Sequence, residues 1–422
     1  MVGLSSTSLT ATWPQRPRRG LTATTLVIPC LLACTPTSDS TGSYAVHDSL
    51  GIRIVESHGP AWQADEKWTL GDTPLVEIGA SPNDPNEQFT TIRAVWELPD
   101  GTIAVGNMSH PPAIRVFDQD GSYIRTIGRD GDGPGEFRWI AEMWLVPPDT
   151  LIVYDVQQSR VTVVDVQGRV LGTTFFNPGA DSPGLSPVIL VGRFSDGTYV
   201  ARPNAYLRSA EGRSGRTMLA VERRQDDGTV VDTIAVLPDV EFDTCEGGRH
   251  CRPVFGKRAA FLAHGTSYYS GMGDEYSIDE YDVSGTLVRR IRRRAAPSRV
   301  TQEMRDQYIE NEVSRLYPSR ASQIRRRLEE TPVAETLPAF DRLFILDQAG
   351  NLWVKDYPNP GDTVASFSVF DGEGRFLGDV TMPLNFRPHA IGLNHVIGVW
   401  RDELDVESVV KFALVKPIAP AP

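Results

Sequence analysis

A short frame that returns along the chain governs what this sequence can fold into. Its clearest copy is Phe117-Asp118-Gln119-Asp120-Gly121-Ser122, an aromatic and an aspartate followed by a turn ending in glycine, and then the alternating strand Tyr123-Ile124-Arg125-Thr126-Ile127. The frame recurs at Val164-Asp165 with Gly168, at Tyr281-Asp282 with Gly285, at Phe370-Asp371 with Gly374, and more loosely at Asp226-Asp227-Gly228. Successive glycines are 47, 60, 57 and 89 residues apart. A second turn class precedes other strands: Pro99-Asp100-Gly101, Pro148-Asp149-Thr150, Ser195-Asp196-Gly197 and Gln348-Ala349-Gly350. Asp-Gly between alternating strands favours tight hairpins, because glycine accepts positive φ without steric cost. Each unit therefore reads as four antiparallel strands, a to d, with tight a–b and c–d turns. Such a sheet repeating every ~45 to 60 residues argues for the blades of a propeller.

Five complete sets of strands are expected over residues 89–129, 137–176, 187–238, 257–294 and 340–383, and a sixth unit over 387–416 supplies only three. Its fourth strand stands at the other end of the chain. Leu75-Val76-Glu77-Ile78-Gly79, followed by Pro85 and Glu87, aligns with the strand ending at Gly128, followed by Pro134 and Glu136, at identical spacing from the glycine. A closing strand of this kind leaves no open sheet edge between the first and last blades. The expected fold is thus all-β: a six-bladed β-propeller over 51–416, its C-terminal blade completed by an N-terminal strand, with a tail over 417–422. Residues 51–70, with Ile52, Ile54, Trp62 and Trp68, are expected to pack on the rim.

Composition narrows the setting. With 40% hydrophobic and 23% charged residues the chain is neither disordered nor a multi-span membrane protein. A net charge of -12 gives no general attraction to phosphate backbones, so nucleic acid is not an expected partner. Arg16, Arg18 and Arg19 precede a mostly apolar run over 20–33 that is too short to span a bilayer, the order of an export signal. It ends in Leu31-Leu32-Ala33-Cys34. A signal peptide is expected over 1–34 and a Ser/Thr-rich flexible tether over 35–50. The expected localisation is the bacterial cell envelope, on the extracytoplasmic side. In such an oxidising compartment Cys245 and Cys251 are most simply a disulfide, because zinc would need two further ligands and only His250 is adjacent.

Leu-Leu-Ala-Cys resembles the lipobox of bacterial lipoproteins, in which the cysteine is lipidated; the resemblance implies a membrane anchor on Cys34. Gly128-Arg129-Asp130-Gly131-Asp132-Gly133-Pro134-Gly135-Glu136-Phe137 resembles an NHL-type loop, and Asn351-Leu352-Trp353-Val354 fits the same plan. Over roughly residues 51–416 the unit plan resembles the bacterial six-bladed β-propeller lipoproteins, a family largely without assigned activity. Related propellers include binders, lactonases and metal-dependent lyases, so the resemblance implies the fold and does not choose among chemistries.

Strand direction supplies a functional argument. In a four-stranded antiparallel blade the d–a and b–c connections share one rim, and a–b and c–d share the other. The long insertions fall in d–a connections, at 241–253 with the two cysteines and at 295–337 with a helical pattern. In the second, Met304, Tyr308, Ile309, Val313, Leu316 and Tyr317 recur at helical spacing, and Pro318-Ser319 restarts a second helix with Ile324 and Leu328. A helical hairpin over about 297–332, between blades 4 and 5, follows. From 289 to 327 there are 12 Arg and 4 acids, which reads either as a solvated helix face or as a cationic lid. Counting eight residues back from the a–b turns reaches Arg93, Lys257, Arg342 and Arg387, four cations near the start of innermost strands; blades 2 and 3 place Ala141 and Ile189 there. Strand b ends at the same rim with Asn107, Asp155, Asp356 and Asp402. Interblade Arg-to-Asp pairing is one reading, and a partly unpaired cationic ring for a carboxylate or phosphate is the other.

No Gly-x-Ser-x-Gly elbow, His-Glu-x-x-His or phosphate-loop motif occurs. His110, His250 and His389 could approach the inserted rim. Asp130, Asp132 and Glu136 could hold calcium, yet the same loop also reads as an ordinary acidic rim, and no cofactor is expected. The sequence leads to a membrane-anchored binding module for an anionic small molecule, glycan or protein. The competing class is an enzyme, a lactonase-like hydrolase or a metal-dependent lyase working at the channel mouth.

Overall fold

The computed structural model describes residues 43–79, 84–108, 110–176, 188–202, 215–248, 250–314 and 318–417. The expected signal and lipidation at Cys34 lie outside them, as do Leu316 and Tyr317. Three strands precede the first blade: β1 (Tyr44–Ser49), β2 (Ile52–Ser57) and β3 (Thr69–Ile78). Blade 1 is β4 (Ile92–Glu97), β5 (Ile103–Asn107), β6 (Ala113–Phe117) and β7 (Tyr123–Ile127). Blade 2 is β8 (Ile140–Val146), β9 (Thr150–Asp155), β10 (Arg160–Asp165) and β11 (Val170–Phe175). Blade 3 is β12 (Ile189–Arg193), β13 (Tyr199–Arg202), β14 (Gly215–Arg224) and β15 (Val230–Thr244), followed by the short β16 (His250–Cys251). Blade 4 is β17 (Ala260–His264), β18 (Ser267–Gly271), β19 (Ser277–Asp282) and β20 (Leu287–Arg293). The helices α1 (Gln302–Ser314) and α2 (Pro318–Glu330) lead to blade 5, which is β21 (Phe340–Leu346), β22 (Leu352–Asp356), β23 (Val364–Phe370) and β24 (Phe376–Pro383). Blade 6 is β25 (Phe386–Ile391), β26 (His395–Arg401) and β27 (Glu407–Val415), with β3 as its fourth strand.

The closing strand falls where the sequence places it. β3 is antiparallel to β27, with Ile78 opposite Val409 and Val76 opposite Lys411. Apolar clusters then occupy all six interfaces between neighbouring blades. The one between blades 6 and 1 joins Val76, Ile78 and Val409 to Val95, Val105 and Phe117. The repeated aspartates also have a physical role. Asp118, Asp282 and Asp371 each accept backbone N–H bonds from the residues two and four positions on, at 2.8 to 3.0 Å. The glycine that ends the frame sits at positive φ, 85° at Gly121, and completes the turn. The inner strands of blades 3 and 4 come close enough to pair in parallel at Gly192 and Ala263, where a Cβ on residue 192 would stand 2.5 Å from that of Ala263.

Three expectations need correction. Residues 44–49, read as tether, form β1, because β2 offers them an antiparallel partner along its whole length. The piece over 51–70 lies on the outer edge of the ring: β2 pairs in parallel with β20, and the Ala61 and Trp62 amides donate to the Phe376 and Leu377 carbonyls of blade 5. Long connections are also not confined to d–a positions, since residues 203–214 join strands b and c of blade 3, whose facing ends lie at the same rim.

Candidate functional site

The elaborated rim of blades 4, 5 and 6 holds a cleft of about 2030 Å³. Its walls come from the start of blade 4, the innermost strands β21 and β25, and the b–c loop of blade 6 around Leu404. The disulfide loop and the helices border it through His250, Tyr308, Arg327 and Leu328. Cys245 and Cys251 are bonded, with Cα atoms 5.8 Å apart, and β15 pairs with β16 to stiffen that loop. The helical hairpin is anchored by its apolar side. Thr301 caps α1 by accepting the Met304 amide at 3.2 Å. Met304, Tyr308 and Leu328 then pack on Val254, Phe255 and Leu337, with the Phe255 and Tyr308 rings 5.1 Å apart. The remaining helical expectations hold only in part: Ile309 is buried, whereas Ile324 and Leu328 of α2 are half-buried.

The four cations read from the sequence meet different fates. Arg342 and Arg387 line the cleft together. The Arg342 guanidinium forms no hydrogen bond or ion pair among the described residues; the residue's own amide donates to the Asp341 carboxylate. Arg387 donates to the Ile92 carbonyl at 3.0 Å and pairs with no carboxylate among the described residues. Burial pushes it below the ordinary guanidinium value, with Arg93 and Arg401 adding to that effect and Glu407 and Glu142 opposing it. Arg93 stands nearby but is taken: its guanidinium pairs with the Glu142 carboxylate and the Ala141 carbonyl of blade 2. Burial raises the Glu142 carboxyl, and Arg93 counteracts this. Lys257 is not part of a ring at all. It is buried, and its ammonium donates to the Thr336 carbonyl of the insertion at 3.1 Å.

The reading in which these four cations pair with the strand-b residues does not hold among the described residues. Asn107 accepts the Thr90 amide, Asp155 accepts those of Arg138 and Gln157, and Asp402 caps its own turn through Leu404 and Val406. Asp356 does make an interblade pair, but with Arg293 of blade 4 at 3.7 Å; it also accepts hydrogen bonds from the Tyr276 and Ser368 hydroxyls, and burial raises its carboxyl. Sequence reading missed Arg252 and Tyr357, which line the same cleft together with Arg327 of the arginine-rich insertion. Arg252 and Arg327 have no acidic partner among the described residues, whereas the cleft acids Asp341 and Glu407 pair with Lys355 and Arg401. Glu312, Asp362, Asp402 and Glu403 are cleft carboxylates without an ion pair among the described residues, so acids and cations balance over the lining as a whole.

The histidines do not converge. His389 follows Arg387 on β25, and its Nε2 is buried without a hydrogen-bond partner. Burial, with Arg387 and Arg93 adding to it, pushes its pKa down to about 3, so it is neutral at pH 7. In the glycine-rich loop Arg138 pairs with Asp130 and Asp132, and Arg129 pairs with Glu136. Among the described residues no group of three His, Cys, Asp or Glu is arranged to hold a metal ion.

Comparison with known proteins agrees with this architecture. The family model described as a 6-bladed beta-propeller matches residues 88–177, which cover blade 1 and blade 2. The chain is a six-bladed β-propeller. Among solved structures it is similar to a member of the duf4221 family from Bacteroides vulgatus, at 10% identity and a TM-score of 0.52, covering 83% of this chain and 99% of that one. It is also similar to a Bacteroides fragilis protein assigned as exported, at 10% identity and a TM-score of 0.47, covering 86% and 99%. A catalytically inactive virginiamycin B lyase from Staphylococcus aureus aligns at 10% identity and a TM-score of 0.37, over 83% and 100%. At such identity the likeness concerns the fold of the propeller alone. No curated protein matches the sequence. Among the described residues no helix is long and apolar enough to cross a membrane.

Proposed function

We propose that this propeller is a lipid-anchored, extracytoplasmic binding module whose cleft over blades 4, 5 and 6 takes an anionic ligand. One observation carries the reading: Arg342 and Arg387 share a cleft and neither guanidinium has a carboxylate partner among the described residues, while the equivalent Arg93 is matched by Glu142. Arg342 and Arg387 are both exposed to the cleft, where an incoming carboxylate or phosphate supplies the missing partner through charge-assisted hydrogen bonds. The Cys245–Cys251 disulfide supports an oxidising compartment, and Leu31-Leu32-Ala33-Cys34 supports the lipid anchor. Charge-assisted hydrogen bonds contribute about 1.5 to 3 kcal/mol each, so removing both guanidiniums costs about 100-fold or more in affinity. A thermal-shift screen against carboxylates, phosphates and acidic sugars tests this. The expected result is stabilisation by one anion class that Arg342→Ala with Arg387→Ala abolishes, and equal stabilisation of the double variant refutes it.

A further inference from the structure

The chain enters the propeller at the rim that bears the cleft. β2 runs parallel to β20, so its last residue, Ser57, lies level with Arg293 at the end of strand d in blade 4. β1 returns antiparallel and sets Tyr44 opposite Ser57. The Ser43 carbonyl accepts the His58 amide at 2.7 Å, and the Arg294 amide donates to the Ser57 carbonyl at 2.8 Å. Ser43 therefore sits beside the point where the helical insertion departs, and the β1–β2 turn at Leu50 and Gly51 lies at the opposite rim. Eight residues separate Cys34 from Ser43. Fully extended they reach at most about 30 Å. An anchor on Cys34 thus holds the cleft-bearing rim near the lipid surface and the plain rim away from it.

The cleft presents two kinds of group side by side. Leu384 and Leu404, 41% and 84% exposed, stand on connections at this rim. Arg342 and Arg387, also exposed, stand on the innermost strands that line the same cleft. Exposed leucines beside guanidiniums without a carboxylate partner among the described residues match an amphiphile that offers an anionic headgroup and an apolar tail. Glu403 and Asp405 flank Leu404, which keeps that loop at headgroup level rather than in the acyl region.

We propose that the inserted rim is the membrane-facing surface and that the cleft takes the phosphate headgroup of an anionic lipid drawn from that membrane. The proposal rests on the anion-binding and anchoring reading above, and it is tested apart from it. Residues 35–422, which include every described strand, are carried by an N-terminal hexahistidine on vesicles of phosphatidylcholine, phosphatidylglycerol and nickel-chelating lipid, with one dye at Leu404→Cys or at Leu393→Cys on the opposite rim. A headgroup nitroxide lipid is expected to quench the dye at 404 several-fold more than the dye at 393. Equal quenching, or stronger quenching at 393, overturns the orientation. Fractionation of cells carrying the full chain or its Cys34→Ser variant reads the anchor independently. For the ligand, dihexanoyl phosphatidylglycerol is expected to bind at least tenfold tighter than glycerol 3-phosphate, and Arg342→Ala with Arg387→Ala to abolish both. Equal affinity for the two probes overturns the lipid as source, and binding of neither by a correctly oriented protein overturns the headgroup assignment.

Discussion

Ring closure by β3 is testable at a single side chain. Ile78 is fully buried, lies opposite Val409, and belongs to the cluster that joins blade 6 to blade 1 through Phe117, Ile397 and Val399. Replacing it with alanine removes three buried carbons and leaves a cavity between two sheets that cannot collapse without moving both. Large-to-small changes of this kind cost about 2 to 5 kcal/mol, and two rigid sheets on either side place this one near 3. Leu75, three residues earlier on the same strand, is 58% exposed, so Leu75→Ala should stay within about 0.5 kcal/mol of the parent. The assay is urea unfolding followed by tryptophan fluorescence and circular dichroism, where Ile78→Ala should lower the midpoint with the slope unchanged. A chain lacking β3 should associate through the uncovered edge of β27. If Ile78→Ala unfolds at the same urea concentration as Leu75→Ala, β3 does not hold the ring shut.

Three further outcomes follow from the geometry. Glu142→Gln removes the counter-charge of Arg93 beside Arg387, so it should lower stability by about 1 to 3 kcal/mol yet strengthen anion binding, both read by thermal shift with and without ligand. His389 is neutral in the fold with a pKa of about 3 against an ordinary 6.5, so on acidification the unfolded chain takes up its proton first. Its contribution is fully present above pH 6.5 and erodes below it, by up to about 2 kcal/mol at pH 5; unfolding of His389→Gln should show a correspondingly smaller loss between pH 7 and pH 5. Opening the disulfide with Cys245→Ser and Cys251→Ser should cost about 2 kcal/mol for so short a loop, and limited proteolysis should then cut first within 241–253.

The fold was legible because its grammar is local. Asp118 and Gly121 specify a turn within six residues, and the side chain that makes the turn also signs it, so copies could be counted without any knowledge of packing. The closing strand was legible for the same reason, since Gly79 and Glu87 repeat the spacing of Gly128 and Glu136. The first strands were harder to read. β1 carries Tyr44, Val46, His47 and Asp48, with none of its residues buried, and only the edge offered by β2 makes it a strand. Its structure is decided by a partner that is itself decided by β20, two pairings removed from any local pattern.

The same distinction explains why the cations separated as they did. Register identified four positions near the starts of innermost strands; Arg93, Arg342 and Arg387 stand on β4, β21 and β25, whereas Lys257 precedes β17 by three residues. What each guanidinium or ammonium meets comes from the neighbouring blade, about 50 residues away, at a height set by the tilt between two sheets. Arg93 meets Glu142, which stands one residue past the position where blade 2 breaks the pattern with Ala141. Lys257 meets a carbonyl of the insertion, which no other blade possesses. Arg387 looks toward Glu407, but that carboxylate already holds Arg401 and the Ile92 amide, so a nearby acid is present and still unavailable. A charge is left for a ligand when the acids within its reach are committed elsewhere. That is a property of the hydrogen-bond network around the channel, and it is why Arg342 and Arg387, rather than all four cations, are the residues on which anion binding should depend.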